Sequence, residues 1–176
     1  MNLIETFQNL VAQVPDLVQP LIVALAGAVP FIEGEGAASI GIIGGIHPIV
    51  AALAGIVGNF LCVLVLVLAG SGARQAIVQR NRSRQLVAAG GDASAVETPG
   101  TAASPRKQKF QNALDRYGVP GVSLLGPLLL PTQFTATMLA AAGVSKSRIL
   151  FWQGLAIVAW TTLLTIIVGG AVHVIA

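Results

Sequence analysis

"PFIEGEGAASIGIIGGIHP", residues Pro30 to Pro48, sets two carboxylates, Glu33 and Glu35, one glycine apart inside otherwise apolar sequence. Pro30, Gly34 and Gly36 resist a straight helix, so a run that would otherwise cross a membrane is interrupted here. Leu21 to Val29 precedes the break and Ala37 to Ile46 follows it, nine and ten residues respectively. At about 1.5 Å per residue, each covers only about half of a ~30 Å hydrocarbon layer. The same arrangement recurs later. Val119 to Leu130 and Thr132 to Val144 flank "GPLLLPTQ", where Pro127 and Pro131 break the helix. Each broken segment is followed by an unbroken apolar run of spanning length, Pro48 to Ala69 and Ile149 to Val172.

Composition agrees with a membrane setting. Of 176 residues, 55% are hydrophobic and only 10% are charged, against about 25% charged in soluble domains. The mean hydropathy is +0.81. A single cysteine, Cys62, excludes a disulfide within the chain and a cysteine-based metal site. His47 and His173 are far apart in sequence, so neither a metal nor another cofactor is expected. The opening "MNLIETFQNL" lacks a basic n-region, so no signal peptide is expected. The pI near 9.6 is explained by membrane topology rather than by nucleic acid. "GSGARQ" lacks the third glycine and the strand–helix context of a nucleotide loop. No Ser-His-Asp or Cys-His arrangement is readable. The chain therefore reads as neither an ATP-driven pump nor a hydrolase, and not as an enzyme.

Three regions follow. Residues 1–70 hold an N-terminal helix, a broken segment and a span. Leu3, Ile4, Phe7, Leu10, Val11 and Val14 recur at helical spacing, predicting an amphipathic helix on a membrane surface that Pro15 ends. Residues 71–116 form a basic loop, and its stretch Ala88 to Pro105 is small, polar and aperiodic, so disorder is expected. The flanks "ARQAIVQRNRSRQ" and "RKQKFQNALDRYG" are candidate helical extensions. Residues 117–176 hold the second broken segment and span.

Charge decides how the broken segments run. All ten Lys and Arg residues lie between Arg74 and Arg148, eight of them in the central loop. Basic loops face the cytoplasm. If the second broken segment crossed fully, Lys146 and Arg148 would be pushed outside; a hairpin that enters and leaves from the cytoplasm keeps all ten inside. The predicted fold is therefore an all-α integral membrane protein with two re-entrant helical hairpins and two full transmembrane helices. An offset of 101 residues superimposes Pro30 on Pro131 and Pro48 on Ile149, which predicts an inverted-topology repeat. Such repeats hold their substrate near the midplane, where broken half-helices present their ends.

These stretches carry a family resemblance. "PFIEGEGAASIGIIGG" resembles the "P-hydrophobic-Ile-Glu-x-x-Gly-Ala" hairpin of the bacterial small multidrug export family. "RYGVPGVSLLGPLLLPTQFTATMLAAAGVSKSRILFWQGLAIVAW" resembles the second hairpin and following span of the wider DedA superfamily, the SNARE-associated or VTT group. The shared pieces are Tyr117-Gly118, Ala142-Gly143, Arg148 and Phe151-Trp152. The resemblance implies two facing hairpins, acidic residues in the first at Glu33 and Glu35, movement of polyprenyl-phosphate lipid carriers across the membrane, resistance to cationic compounds, and dependence on the proton gradient. Its eukaryotic members are lipid scramblases. The family also places arginines in the second hairpin, which suit phosphate. "GPLLLPTQFTATM" has none, which favours a cationic or neutral cargo.

Low dielectric and a neighbouring acid both help a carboxyl hold its proton, so Glu33 and Glu35 are candidates for proton exchange or cation pairing. Alternatively, both cap the half-helix expected to start near Ala37. Thr132, Gln133, Thr135 and Thr137 are candidates for the opposing polar wall, or for satisfying backbone groups freed by Pro131. Asn59, in mid-span, reaches the same cavity or bonds between helices. Ala37, Gly41 and Gly45, with Ala51 and Gly55, read as small-residue packing stripes. Phe151 and Trp152 fit an interfacial belt.

The expected function is a multi-pass transporter of the bacterial inner (cytoplasmic) membrane exporting small cationic or amphipathic compounds with protons, or a DedA-type lipid translocase or scramblase. Expected partners are membrane lipids, the small-molecule or lipid cargo, protons and a second copy in a homodimer, with no nucleic acid. Single cysteines placed in a Cys62-free protein should be labelled from the cytoplasm at position 146 and between residues 74 and 116. Positions near both termini should be labelled from outside. Labelling of position 146 only from outside would overturn the hairpin topology.

Overall fold

The computed structural model describes the backbone of residues 2–88 and 105–175 and the side chains of residues 2–70 and 108–174. Every element among the described residues is helical. Asn2 starts the first by reciprocal capping. Its side chain accepts from the Glu5 N–H at 2.8 Å, while the Glu5 carboxylate accepts from the Asn2 N–H at 3.0 Å, so two orphan donors are satisfied. This helix, α1 (Leu3–Gln13), ends before Pro15 as predicted. α2 (Gln19–Gly27), α3 (Glu33–Ile43) and α4 (Pro48–Ala88) follow. α5 (Pro105–Leu125), a 3-10 turn (Gly126–Leu128), α6 (Thr132–Ala141) and α7 (Lys146–Ile175) complete the chain.

Both breaks occur, with edges that differ from expectation. The first occupies residues 28–32 and contains Pro30. Gly34 and Gly36 are not part of it: they lie inside α3, which begins at Glu33 rather than near Ala37. The reason for Gly34 is packing. A Cβ there would meet the Thr161 hydroxyl at 2.4 Å and the Gly55 carbonyl oxygen at 3.4 Å. In the second break, the arm expected to reach Leu130 stops at Leu125; Pro127 sits in the 3-10 turn and Pro131 precedes α6. Both basic flanks are helical, the first continuing α4 and the second opening α5. α5 is kinked at Gly118, whose φ of 65° favours glycine. The expected disordered stretch, Ala88 to Pro105, lies outside the described residues apart from its two ends.

Residues Pro48–Gly70 of α4 and Lys146–Val174 of α7 are long and apolar enough to cross a membrane, with mean hydropathies of 2.6 and 2.2. Their most apolar stretches are only 33% and 22% buried inside the protein. Leu53, Val57, Leu61 and Val65 of α4 and Phe151, Leu155, Val158 and Ile166 of α7 lie on the exterior. The core helix of a soluble protein would bury such residues, and an apolar exterior of this extent points to membrane association.

Contacts along these two helices fix their direction. Pro48 lies against Gly169 and Phe60 lies against Gly154, so α4 and α7 run antiparallel. Each half of this pair carries its own apolar core. One is built from Val11, Val23, Ala26, Ala37, Ile40 and Ala51, drawn from α1 to α4, with Val168 of α7 packed against it. The other joins Val63 and Val67 of α4 to Val122, Leu139, Ile149 and Ile157. Of the expected small-residue stripes, Ala37, Gly41, Ala51 and Gly55 do pack at the α3–α4 contact, whereas Gly45 has φ +90° and touches nothing within 4 Å of a would-be Cβ. It turns the chain out of α3 instead.

α2 approaches α4 most closely at Gly58, where a Cβ would sit 1.8 Å from the Ala24 carbonyl oxygen. Only glycine permits this. Gly58→Ala should cost about 1–3 kcal/mol through forced separation of the helices. Gly70→Ala, with open space around it, should be neutral or slightly stabilising. Thermal unfolding in detergent micelles checks both; equal melting temperatures for the two variants would contradict the close approach.

Candidate functional site

Between the two cores lies a polar layer, and Glu33 is its centre. Phe31 in the first break and Glu33, the first residue of α3, have positive φ values of 71° and 56°. Side chains other than glycine tolerate this at a cost of about 1–3 kcal/mol each, where surrounding contacts hold them. Phe31 is 81% exposed and its ring sits 6.2 Å from that of Phe134 on α6. Glu33 is 4% exposed. The tip of the first helical pair therefore meets the start of α6.

The start of α6 needs an acceptor. The first N–H groups of a helix have no intrahelical partner, and Pro131 in the capping position makes no side-chain cap. Glu33 supplies one from 99 residues away: its Oε1 accepts from the Thr132 backbone N–H and, at 2.8 Å, from the Thr132 hydroxyl. Negative charge is favoured at a helix N-terminus by about 0.3–1 kcal/mol, more where partly buried. Glu33 thus caps a helix, as one sequence reading allowed, but it caps α6 rather than its own.

The layer extends through amides. Thr132 Oγ1 lies 3.1 Å from Asn59 Oδ1 and 3.4 Å from Gln133 Oε1, and Gln133 Nε2 donates to Asn59 Oδ1 at 3.1 Å. Asn59 is fully buried near the middle of the Pro48–Gly70 stretch. Among the described residues, its Nδ2 and the Thr161 hydroxyl, which abuts Gly34, are buried without hydrogen-bond partners. Further along α7, Gln153 Nε2 reaches Ser123 Oγ at 3.4 Å and Trp160 Nε1 donates to the Leu124 carbonyl at 2.9 Å. Those bonds tie the end of α5 to α7.

Four of the sequence-predicted residues, Glu33, Asn59, Thr132 and Gln133, come together here. Glu35 is half-buried on α3 and its carboxylate joins none of these contacts. Thr135 is buried, but its hydroxyl donates to the Pro131 carbonyl at 3.3 Å and serves the first turn of its own helix. Thr137 donates to the Phe134 carbonyl at 2.8 Å. The polar wall expected from four residues is therefore built by Thr132 and Gln133. Thr161 is the residue that sequence reasoning missed. Its signal was present: Gln153, Thr161 and Thr165 recur at multiples of four along an apolar run. Among the described residues no three His, Cys, Asp or Glu side chains converge, so the layer's chemistry is one carboxylate, two amides and hydroxyls. No family model matches the chain, and no curated protein or solved structure matches it either.

Removing the acceptor should be costly. Glu33→Ala leaves the Thr132 N–H buried and unpaired, a loss of about 1–3 kcal/mol. Glu33→Gln keeps a carbonyl acceptor and should lose less, and Glu35→Ala should stay within about 0.5 kcal/mol of the parent. Unfolding in a mild detergent reports the order; an equal loss at positions 33 and 35 would contradict it.

Proposed function

We propose that the chain is a proton-coupled transporter of a bacterial inner membrane, exporting small cationic or amphipathic compounds. In this reading α2–α3 and the α5–α6 pair are re-entrant hairpins that enter from opposite sides, related as an inverted repeat, and α4 and α7 are the spans. The observation that carries it is the Glu33 carboxylate. It is buried among apolar helices beside Asn59 and bonded to the start of α6 in the opposing pair. Ionisable groups inside membranes are costly to keep and mark ion and substrate pathways, and broken half-helices commonly present their ends to a substrate at the midplane. The resemblance to the small multidrug export and DedA groups points the same way. The absence of a basic residue beside Thr132 and Gln133 favours a cationic or neutral cargo over a phosphate.

One observation favours a second reading, a lipid translocase. An apolar groove of about 440 Å³ lies between α4 and α7, lined by Ile56, Val57, Phe60, Leu61, Gly154 and Val158. Its apolar lining suits an acyl chain.

Reconstitution separates the two. Vesicles loaded with a pH-sensitive dye should show proton flux when lipophilic cations are added outside. Glu33→Gln should reduce that flux to the level of empty vesicles, while Glu35→Gln retains most of it. Full flux in a folded Glu33→Gln protein would remove the coupling argument. Flipping of fluorescent phospholipid without cation-driven flux would favour the translocase.

A further inference from the structure

At Thr132 the polar layer offers a single hydroxyl hydrogen to too many acceptors. Thr132 Oγ1 stands 2.8 Å from Glu33 Oε1, 3.1 Å from Asn59 Oδ1 and 3.4 Å from Gln133 Oε1. A hydroxyl has one hydrogen and two lone pairs, so it donates to one of these oxygens at a time. Meanwhile Asn59 Nδ2, a donor on a fully buried side chain, has no partner. Acceptors crowd one hydrogen while a donor beside them goes unused.

We propose that Thr132 is a relay that reads whether Glu33 carries a proton and passes that state to Asn59, giving the layer two hydrogen-bond directions. With Glu33 ionised, the carboxylate is the strongest acceptor and takes the Thr132 hydrogen. The lone pairs of Oγ1 are then free, and a half-turn of the Asn59 amide lets its Nδ2 donate to them. The Gln133 amide turns with it, so that Gln133 Oε1 accepts from Asn59 Nδ2 where Nε2 donated before. When a proton from solvent adds to the carboxylate, the new O–H donates to Oγ1. The Thr132 hydrogen then rotates about the Cβ–Oγ1 bond to Asn59 Oδ1, which already accepts from Gln133. No bond in Thr132 or Asn59 breaks. In the structure Thr132 Oγ1 stands within reach of both Glu33 Oε1 and Asn59 Oδ1, and the Asn59 amide has the orientation that the second direction uses.

Among the described residues, the geometry isolates the relay from other titrating groups. Around Glu33, α4 presents Asn59, α6 presents Thr132 and Gln133, and α7 presents Thr161. None of these titrates in water's range, and α2 contains no titratable side chain. Glu35, on the same helix, is the remaining acid nearby. The consequence is mechanical. Asn59 belongs to a long apolar helix, Glu33 to the first helical pair and Thr132 to the second, so the proton state of one side chain is felt by all three.

This inference rests on Glu33 being the coupling site, and the test separates the two claims. The full-length protein in lipid nanodiscs is labelled with ¹⁵N at asparagine side chains, and the Asn59 Nδ2 resonance, assigned by Asn59→Leu, is followed against pH. It should move with pH in the parent and in Glu35→Gln, and be static in Glu33→Gln. Thr132→Ser, which keeps the hydroxyl, should retain the movement; Thr132→Val, of equal size without it, should abolish the movement. Should Thr132→Val fail to fold, Thr132→Ala carries the same comparison. A static resonance in the parent, or one that still titrates in Thr132→Val, overturns the relay. Movement as described in a protein without cation-driven proton flux upholds the relay and rejects the transport reading. Unaltered flux and pH profile in Thr132→Val, with Glu33→Gln inactive, rejects the relay and keeps the transport reading.

Discussion

A carboxylate at the N-terminus of a helix to which it does not belong organises this molecule. Glu33 is buried, and a buried acid needs hydrogen-bond donors. α6 begins after Pro131 with free N–H groups and no acceptor of its own. Each defect is the other's remedy. The strained backbone at Phe31 and Glu33 fits the same account, because positive φ values survive where the surroundings leave no alternative. The contact also sets where the two helical pairs meet, near the middle of the Pro48–Gly70 stretch of α4 and not at either end of it.

The apolar cores alone do not specify that meeting point. Val, Leu and Ile side chains packed along α4 and α7 gain from contact in a non-directional way, and in a membrane the competing lipid is as apolar as they are. One core sliding a residue past its neighbour would lose little. Asn59, Thr132, Gln133 and Glu33 do not permit sliding, since each bond depends on both distance and angle. The layer acts as a register mark between two otherwise permissive halves. The glycine contacts do comparable work within the first half, where Gly55 and Gly58 bring backbones too close for any other residue.

How much of this could be read from the chain varies with how local the cause is. The end of α1 at Pro15, the breaks at Pro30, Pro127 and Pro131, and the two long apolar helices all have causes within a few residues, and all were legible. Gly34 was misread because a glycine that breaks a helix and one that lets another helix approach look alike until the second helix is in place. Gly45 was misread the other way: its spacing fits a packing stripe, but its backbone turns the chain. The choice between Glu33 and Glu35 depends on backbone angles at the tip and on a partner 99 residues away, so no local pattern separates them. Thr132 and Thr137 look equivalent in sequence, yet only the first lies where Glu33 reaches. Thr161 was visible as a hydroxyl in an apolar run, though what it faces, the α-carbon side of Gly34, was not.

The separation of the two cores has a consequence for how the chain is made. Nearly all of the first core comes from residues 1–70, which leave the ribosome before any of α5, α6 or α7 exists. That half can close its apolar contacts as soon as α4 emerges. Its acid cannot be satisfied in the same way, because the donors for Glu33 are on Thr132, nearly a hundred residues further on. During that interval the nascent half carries an unpaired carboxyl at its tip, and water must attend it until α6 arrives. The docking of α6 is therefore a dehydration, and it is also the step that joins the two helical pairs.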